Sequence, residues 1–310
     1  MLSSLLRSTI LAASGSDVVR RTVAGAPVSR NVVARYIAGE RTEDAVRAAG
    51  ELERDGLTVT LDRLGEDVLD AAQAQRTVDD YVVLLRQLSD ARLTPDGRCE
   101  VSVKLTAVGQ AIDESMALDG ARTICAAAAA SGTTVTLDME DHTTTDSTLG
   151  ILRSLREDFP TTGAVLQSYL RRTEGDCRDL SGPGSRVRLC KGAYMEPESV
   201  AYQTTGEVDR SYVRCMKVLF AGDGYPMLAT HDPRLVAIGA VLSGRRPLDS
   251  WEYQMLYGIR PDEQRRLVGE GRTVRVYVPY GDEWYGYMMR RMAERPANLT
   301  FFLRSLATRS

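Results

Sequence analysis

Eight short β-branched runs separated by helix-length intervals predict an α/β fold whose strands run parallel and close as a (βα)8, or TIM, barrel. Two further observations favour the closed barrel over a doubly wound open sheet. No GxGxxG follows the first strand, and polar residues gather at the C-terminal ends of most strands. At 310 residues, the chain has the length of one barrel with an appendage.

Residues 1–54 read as an N-terminal helical arm, with turn signals at Gly15 and from Gly25 to Pro27. Its opening segment, MLSSLLRSTILAASGSD, carries leucine and isoleucine at helical spacing, and Arg7 interrupts its apolar run. That pattern predicts an amphipathic helix rather than a signal peptide. Residues 55–310 form the barrel domain. Its first four strands are expected in LTVTLDRLGE from Leu57, EVSVKLT from Glu100, TTVTLDMEDH from Thr133 and GAVLQSYL from Gly163. The other four are expected in RVRLCKGAY from Arg186, YPMLATHDP from Tyr225, SWEYQMLYG from Ser250 and TVRVYVPYG from Thr273. The alanine run from Ala126 to Ala130 between the second and third strands reads as a helix packing surface.

Composition narrows the partners. A net charge of -3 with 26% charged residues gives no basic excess for nucleic acid, so the partners are expected to be small molecules. Cys99, Cys125, Cys177, Cys190 and Cys215 form no CxxC pair and read as reduced intracellular thiols. With only His142 and His231 in the chain, a histidine-rich metal site is excluded, and no metal is expected. No stretch approaches the roughly 20 apolar residues of a membrane span. The expectation is a cytoplasmic protein, at most peripheral to the inner face of the membrane, with the amphipathic N-terminus as the place of any transient contact.

A barrel builds its active site at the C-terminal mouth. Lys104 closes strand two, Asp138 strand three, Gln167 strand four, Arg188 and Lys191 strand five, His231 strand six and Tyr277 strand eight. Ser102, Lys104 and Thr106 share the less apolar face of their strand, and an inward lysine needs an anionic partner. In RLCKGAYMEP, Arg188 and Lys191 precede Gly192 and Ala193, placing two cations beside backbone with little bulk, where nucleotide or flavin phosphates fit.

The last motif is a helix after strand eight. At about 100° per residue, Tyr287, Arg290, Arg291 and Glu294 fall within roughly a 100° arc. Both guanidinium groups then point at one spot, and planar forks suit carboxylates. Adjacent arginines also occur at Arg20/Arg21, Arg171/Arg172, Arg245/Arg246 and Arg265/Arg266, which read as solvated surface. The aromatic setting of Trp284, Tyr285 and Tyr287 separates Arg290/Arg291 from them.

EVSVKLT, VTLDMEDH, VLQSYL, RLCKGAY, LATHD, WEYQMLYG and YGYMMRRMAERPAN stand in the order and spacing of the proline dehydrogenase family, which this chain resembles over about residues 55–305. The likeness is to the short monofunctional bacterial form. The resemblance implies a distorted (βα)8 barrel, noncovalent FAD at the mouth, and a final helix over it. It implies oxidation of L-proline to 1-pyrroline-5-carboxylate, the first step of proline catabolism, with electrons passed to a quinone. Lys104, Arg290 and Arg291 would bind the proline carboxylate, Asp138 would lie near flavin and substrate, and Tyr277 would lie against the substrate ring. Tyr287 and Glu294 would support the clamp. Asp138, Gln167, Arg188, Lys191, Gly192, Ala193, Tyr194, Thr230 and His231 match flavin contact positions. Met195 departs from the family, where tryptophan often follows KGAY, so packing at that flavin edge is expected to differ.

The chemistry agrees. Oxidising a saturated C–N bond removes hydride, which no side chain accepts, so a redox cofactor is required. Two rivals remain at this point: a Schiff-base aldolase using Lys104 or Lys191 as nucleophile, and a noncatalytic carboxylate-binding barrel.

Overall fold

A computed structural model describes residues 33–244 and 246–288. The amphipathic N-terminal segment, Arg290, Arg291 and Glu294 lie outside the described residues, as does Arg245.

Eight parallel strands close into one barrel in sequence order, β1 pairing with β2 and, on its other side, with β8. They are β1 Thr58–Arg63, β2 Cys99–Val103, β3 Val135–Leu137, β4 Gly163–Gln167, β5 Arg186–Cys190, β6 Tyr225–Ala229, β7 Glu252–Leu256 and β8 Val274–Tyr280. Each falls within the run that predicts it, except that β2 begins one residue earlier, at Cys99. Two residues expected at strand ends lie deeper. Tyr277 is in the middle of β8, which continues through Pro279 to Tyr280, and Arg188 is the third residue of β5.

The helices are α1 Thr42–Arg54, α2 Ala71–Asp90, α3 Glu114–Ala130, α4 Thr145–Asp158, α5 Thr173–Asp179, α6 Thr205–Ala221, α7 Pro233–Leu242 and α8 Pro261–Gly269. Several start on a side-chain cap that ends the preceding mouth loop. Asp70 accepts from the Gln73 amide at 2.7 Å, Asp113 caps α3, and Asp232 caps α7 with Pro233 at its first position. Such caps satisfy amide groups that have no partner inside the helix and fix where each loop stops. Among the described residues, no helix is long and apolar enough to cross a membrane.

α1 takes the place in the outer ring between β8 and β1, burying Ala45, Ala48 and Ala49 against the barrel. A barrel conventionally puts the helix after its last strand there. With the place taken, the chain beyond β8 turns at Gly281 and re-enters helix at residues 284–288 near the mouth. The segment before α1 is held to the same end: the Ala38 amide donates to the Pro279 carbonyl at 3.0 Å, and Trp284 Nε1 donates to Glu40 Oε1 at 3.1 Å.

Strand alternation sorts the side chains into two shells. Outward residues such as Val59, Leu61, Val101, Val103, Leu166, Leu189, Val276 and Val278 pack with Tyr81, Leu84, Leu85 and Ile124 from the helices into one core. Burying each such side chain contributes roughly 1.5–3 kcal/mol, so this shell holds the barrel closed. On six of the eight strands the inward set is polar: Thr60 and Asp62, Glu100 and Ser102, Thr136 and Asp138, Arg186 and Arg188, Glu252 and Gln254, Arg275 and Tyr277, while β4 and β6 add Val165 and Met227. Branched apolar residues usually fill such a lumen. Here hydrogen bonds and ion pairs fill it instead.

Candidate active site

The mouth is built around Asp138, which follows β3. Its Oδ1 accepts from Arg188 Nη1 at 2.7 Å and from Ser102 Oγ at 2.8 Å, and its Oδ2 accepts from the Tyr277 hydroxyl at 2.8 Å. Arg188 also stands over the Tyr277 ring, 5.3 Å from its centroid. Burial pushes the Tyr277 hydroxyl well above its ordinary range, and the Asp138 and Asp62 carboxylates add to that, so it is a neutral donor. Lys104, just past β2, donates to both oxygens of Asp62 at 2.8 and 2.7 Å and lies 3.8 Å from Asp138. Burial opposes the lysine's charge, but Asp62 and Asp138 outweigh it and raise its pKa. Burial likewise raises the Asp62 carboxyl, against the pull of Lys104.

Beneath the mouth lies a second charged layer. Arg275 donates to Glu252 Oε1 at 2.8 Å and to the Val59 carbonyl at 2.9 Å, while Arg186 pairs with Glu100 at 2.5 Å. Burial alone would raise Glu100, yet Arg186, Arg275 and Arg188 hold it down at about 2. Across both layers, Lys104, Arg186, Arg188 and Arg275 face Asp62, Glu100, Asp138 and Glu252. A buried ion costs several kcal/mol when unpaired, and this one-to-one balance offsets that cost.

The loops after β3 to β6 form one rim of the mouth. Gln167 ends β4 only 3% exposed; its Nε2 donates to the Met139 carbonyl at 3.3 Å, while its Oε1 has no partner among the described residues. Lys191 pairs with Asp209 at 2.6 Å and Asp232 at 3.3 Å. Gly192 has φ +105°, and a Cβ there would fall 2.3 Å from the Tyr169 ring, so no other residue allows this approach. Ala193 is exposed and Tyr194 half-buried. Thr230 Oγ1 accepts from the Asp232 amide at 3.1 Å, and His231 Nε2 accepts from the Leu256 amide at 2.9 Å. Met195 is 75% exposed. Glu196 ties three loops, accepting from the His142 amide at 2.9 Å and from the Tyr169 hydroxyl at 3.2 Å.

The structure therefore brings Lys104, Asp138, Arg188 and Tyr277 into contact, with Gln167, Lys191, Gly192, Thr230 and His231 around the rim. Tyr287 is buried in the helical turn after β8. The sequence expectation omits Asp62, Glu140 and Gln254. Asp62 is signalled by alternation, since Thr58, Thr60 and Asp62 share one face of TVTLD. Glu140 accepts from the Thr106 amide at 3.1 Å and hydroxyl at 2.6 Å, capping the 3-10 turn Leu105–Val108; burial lifts it to about 7. Among the described residues, no cluster of histidine, cysteine and carboxylate groups is arranged to hold a metal.

A nucleophilic amine must be deprotonated, so Lys104, whose pKa two carboxylates raise, is the wrong lysine for a Schiff base. The mouth instead offers fixed charge and neutral hydroxyl, suited to orienting a zwitterion.

The family model for proline dehydrogenase matches residues 45–304. The chain is 41% identical to proline dehydrogenase of Deinococcus radiodurans, over 89% of this chain and 90% of that one. It is 36% identical to proline dehydrogenase 1 of Bacillus subtilis strain 168, over 88% and 89%. Proline utilization A (PutA) from Bdellovibrio bacteriovorus, in its structure inactivated by N-propargylglycine, superposes with a TM-score of 0.77 and 26% identity, over 84% of this chain and 32% of that one. This chain thus spans about a third of PutA but nearly the whole of the shorter relatives. By the extent of that match and by the barrel it shares, the chain belongs to the proline dehydrogenase family.

Proposed function

We propose that this protein oxidises L-proline to 1-pyrroline-5-carboxylate with noncovalent FAD, as the first step of proline catabolism, and passes the electrons to a quinone. The observation that carries this reading is Lys104, charged and buried at the centre of the mouth, beside an Asp138–Tyr277 pair in a family named for proline oxidation.

The rim fits a flavin. Gln167 Oε1, buried without a donor among the described residues, would be satisfied by a ring N–H. Arg188, Lys191 and the small residues Gly192 and Ala193 would hold its ring edge and diphosphate, with Asp138, Tyr194, Thr230 and His231 completing the contacts. When bound, FAD supplies the two-electron acceptor that no side chain provides.

The chain's own residues orient the substrate. Lys104, with Arg290 and Arg291 from the final helix, would take the proline carboxylate, with Tyr287 and Glu294 supporting the clamp. Charge-assisted bonds of about 1.5–3 kcal/mol each would hold the carboxylate. Tyr277, fixed by Asp138, would lie against the ring. A cation about 4 Å from the substrate ammonium, at an effective dielectric near 20, disfavours its charge by roughly 4 kcal/mol. The clamp would thus help the amine lose its proton before the C–H bond breaks.

The test is optical. Purified protein should be yellow, release all its flavin as FAD on denaturation, and bleach when proline is added without oxygen. A folded protein that binds no FAD, or holds it through denaturation, overturns the reading. A colourless protein yielding a borohydride-trapped lysine adduct would restore the aldolase.

A further inference from the structure

The two charged layers of the lumen are bridged by one uncharged side chain, beside the direct Arg188–Glu100 pair at 3.8 Å. Gln254, on β7 and 2% exposed, donates from Nε2 to Glu252 Oε1 at 2.6 Å and accepts on Oε1 from Arg188 Nε at 2.5 Å. Glu252 carries Arg275 on the floor, and Arg188 carries Asp138 at the mouth. An amide alone offers a donor on one side and an acceptor on the other. Those neighbours also decide which way it points: Glu252 needs a donor and Arg188 an acceptor.

The consequence lies in the shape of the guanidinium. It is planar and rigid, so fixing Nε fixes the direction of both terminal nitrogens. With Nε held by Gln254, Nη1 lies 2.7 Å from Asp138 Oδ1 and 2.9 Å from Ser102 Oγ, opposite the Tyr277 bond to the same carboxylate. The contacts of Nη2 within the lumen are long ones, 3.5 Å to Thr60 Oγ1 and 3.8 Å to Glu100 Oε1. Gln254 is therefore the support that sets the plane of Arg188.

We propose that Gln254 is a positioning residue for the reaction, aiming Arg188 at Asp138 and the flavin. The proposal rests on the reading of this site as a flavin-dependent proline oxidase. It predicts an effect on turnover more than on substrate affinity, because Gln254 touches Arg188 and not Lys104. It also predicts an effect on the flavin's potential, since a cation near the ring tunes its electronics.

Two variants test it. Gln254→Leu removes both bonds, whereas Gln254→Glu, sharing one proton with Glu252, keeps the acceptor for Arg188. In Gln254→Leu, kcat should fall at least tenfold while the proline KM changes less than threefold, the midpoint potential should shift negative, and a crystal structure should show Arg188 off Asp138. Gln254→Glu should keep Arg188 in place and kcat within threefold of the parent. A Gln254→Leu enzyme with parental kcat, potential and Arg188 geometry overturns the proposal. So does a tenfold loss in Gln254→Glu with flavin bound and Arg188 in place, and this arm decides the matter if Gln254→Leu does not fold. Parent protein without flavin or proline oxidation would overturn the functional reading instead, and the Arg188 geometry in the variants would still judge the positioning role.

Discussion

Lys104 donates to both carboxylate oxygens of Asp62, at 2.8 and 2.7 Å, from a strand 42 residues further along the chain. An inward lysine needs an anion, and the barrel supplies it from the neighbouring strand rather than leaving the charge for substrate alone. Removing one partner of a buried pair strands the other, at a cost of about 3 kcal/mol or more. Asp62→Asn should therefore lower unfolding stability by about 3 kcal/mol. Adding Lys104→Met should recover at least half of that. Urea unfolding of the two single variants and the double variant checks it, and additive losses would mean that the pair does not act as a unit.

The carboxylate clamp makes a kinetic prediction. Arg290→Met and Arg291→Met should each raise the proline KM at least tenfold, on the order of 1.4 kcal/mol, with flavin content unchanged. A variant that binds proline normally would place its arginine with the solvated pairs. Arg172, paired with Asp176 and Asp146, and Arg266, paired with Glu263 and Glu270, exemplify that population.

Glu140 gives a pH prediction with a defined sign. Burial lifts its carboxyl from the ordinary 4.5 to about 7. Between those values the unfolded chain has already lost a proton that the folded chain keeps. Stability from this group is therefore complete below about pH 4.5 and is lost as pH rises to 7, by about 3 kcal/mol in all. Glu140→Gln cannot ionise, so its Tm relative to the parent should be higher at pH 8 than at pH 5. An equal difference at both values would show that Glu140 is ionised throughout.

The electron acceptor is open to direct measurement. In stopped-flow mixing, proline-reduced protein should be reoxidised rapidly by a soluble quinone and not by NAD. Rapid reoxidation by NAD, with inertness towards quinone, would reverse that assignment.

Much of the architecture is legible in the chain. The runs TVTLDR, VRVYVPY and their six counterparts fall on the eight strands, because β-branched alternation is a local property that each segment carries by itself. The same alternation marks the inward residues: EVSVK places Glu100, Ser102 and Lys104 on one face, and VTLD places Thr136 with Asp138. Helix starts are legible for the same reason, since Asp113 and Asp232 cap within two or three residues of themselves.

The sequence by itself determined that eight strands would close a barrel and that Lys104, Asp138, Arg188 and Tyr277 would gather near its mouth. Only the tertiary structure decided which of these residues touch, and how far from the strand ends Tyr277 and Arg188 act. Arg188 on β5 meets Ser102 on β2, Asp138 after β3 and Gln254 on β7, residues 86, 50 and 66 positions away. Period-two patterning says which face a side chain takes but carries no information about its partner across the lumen. Closure, strand stagger and barrel radius set those pairings together. Asp62 and Gln254 therefore gain their meaning only when β1 and β7 are brought round to face β2 and β5.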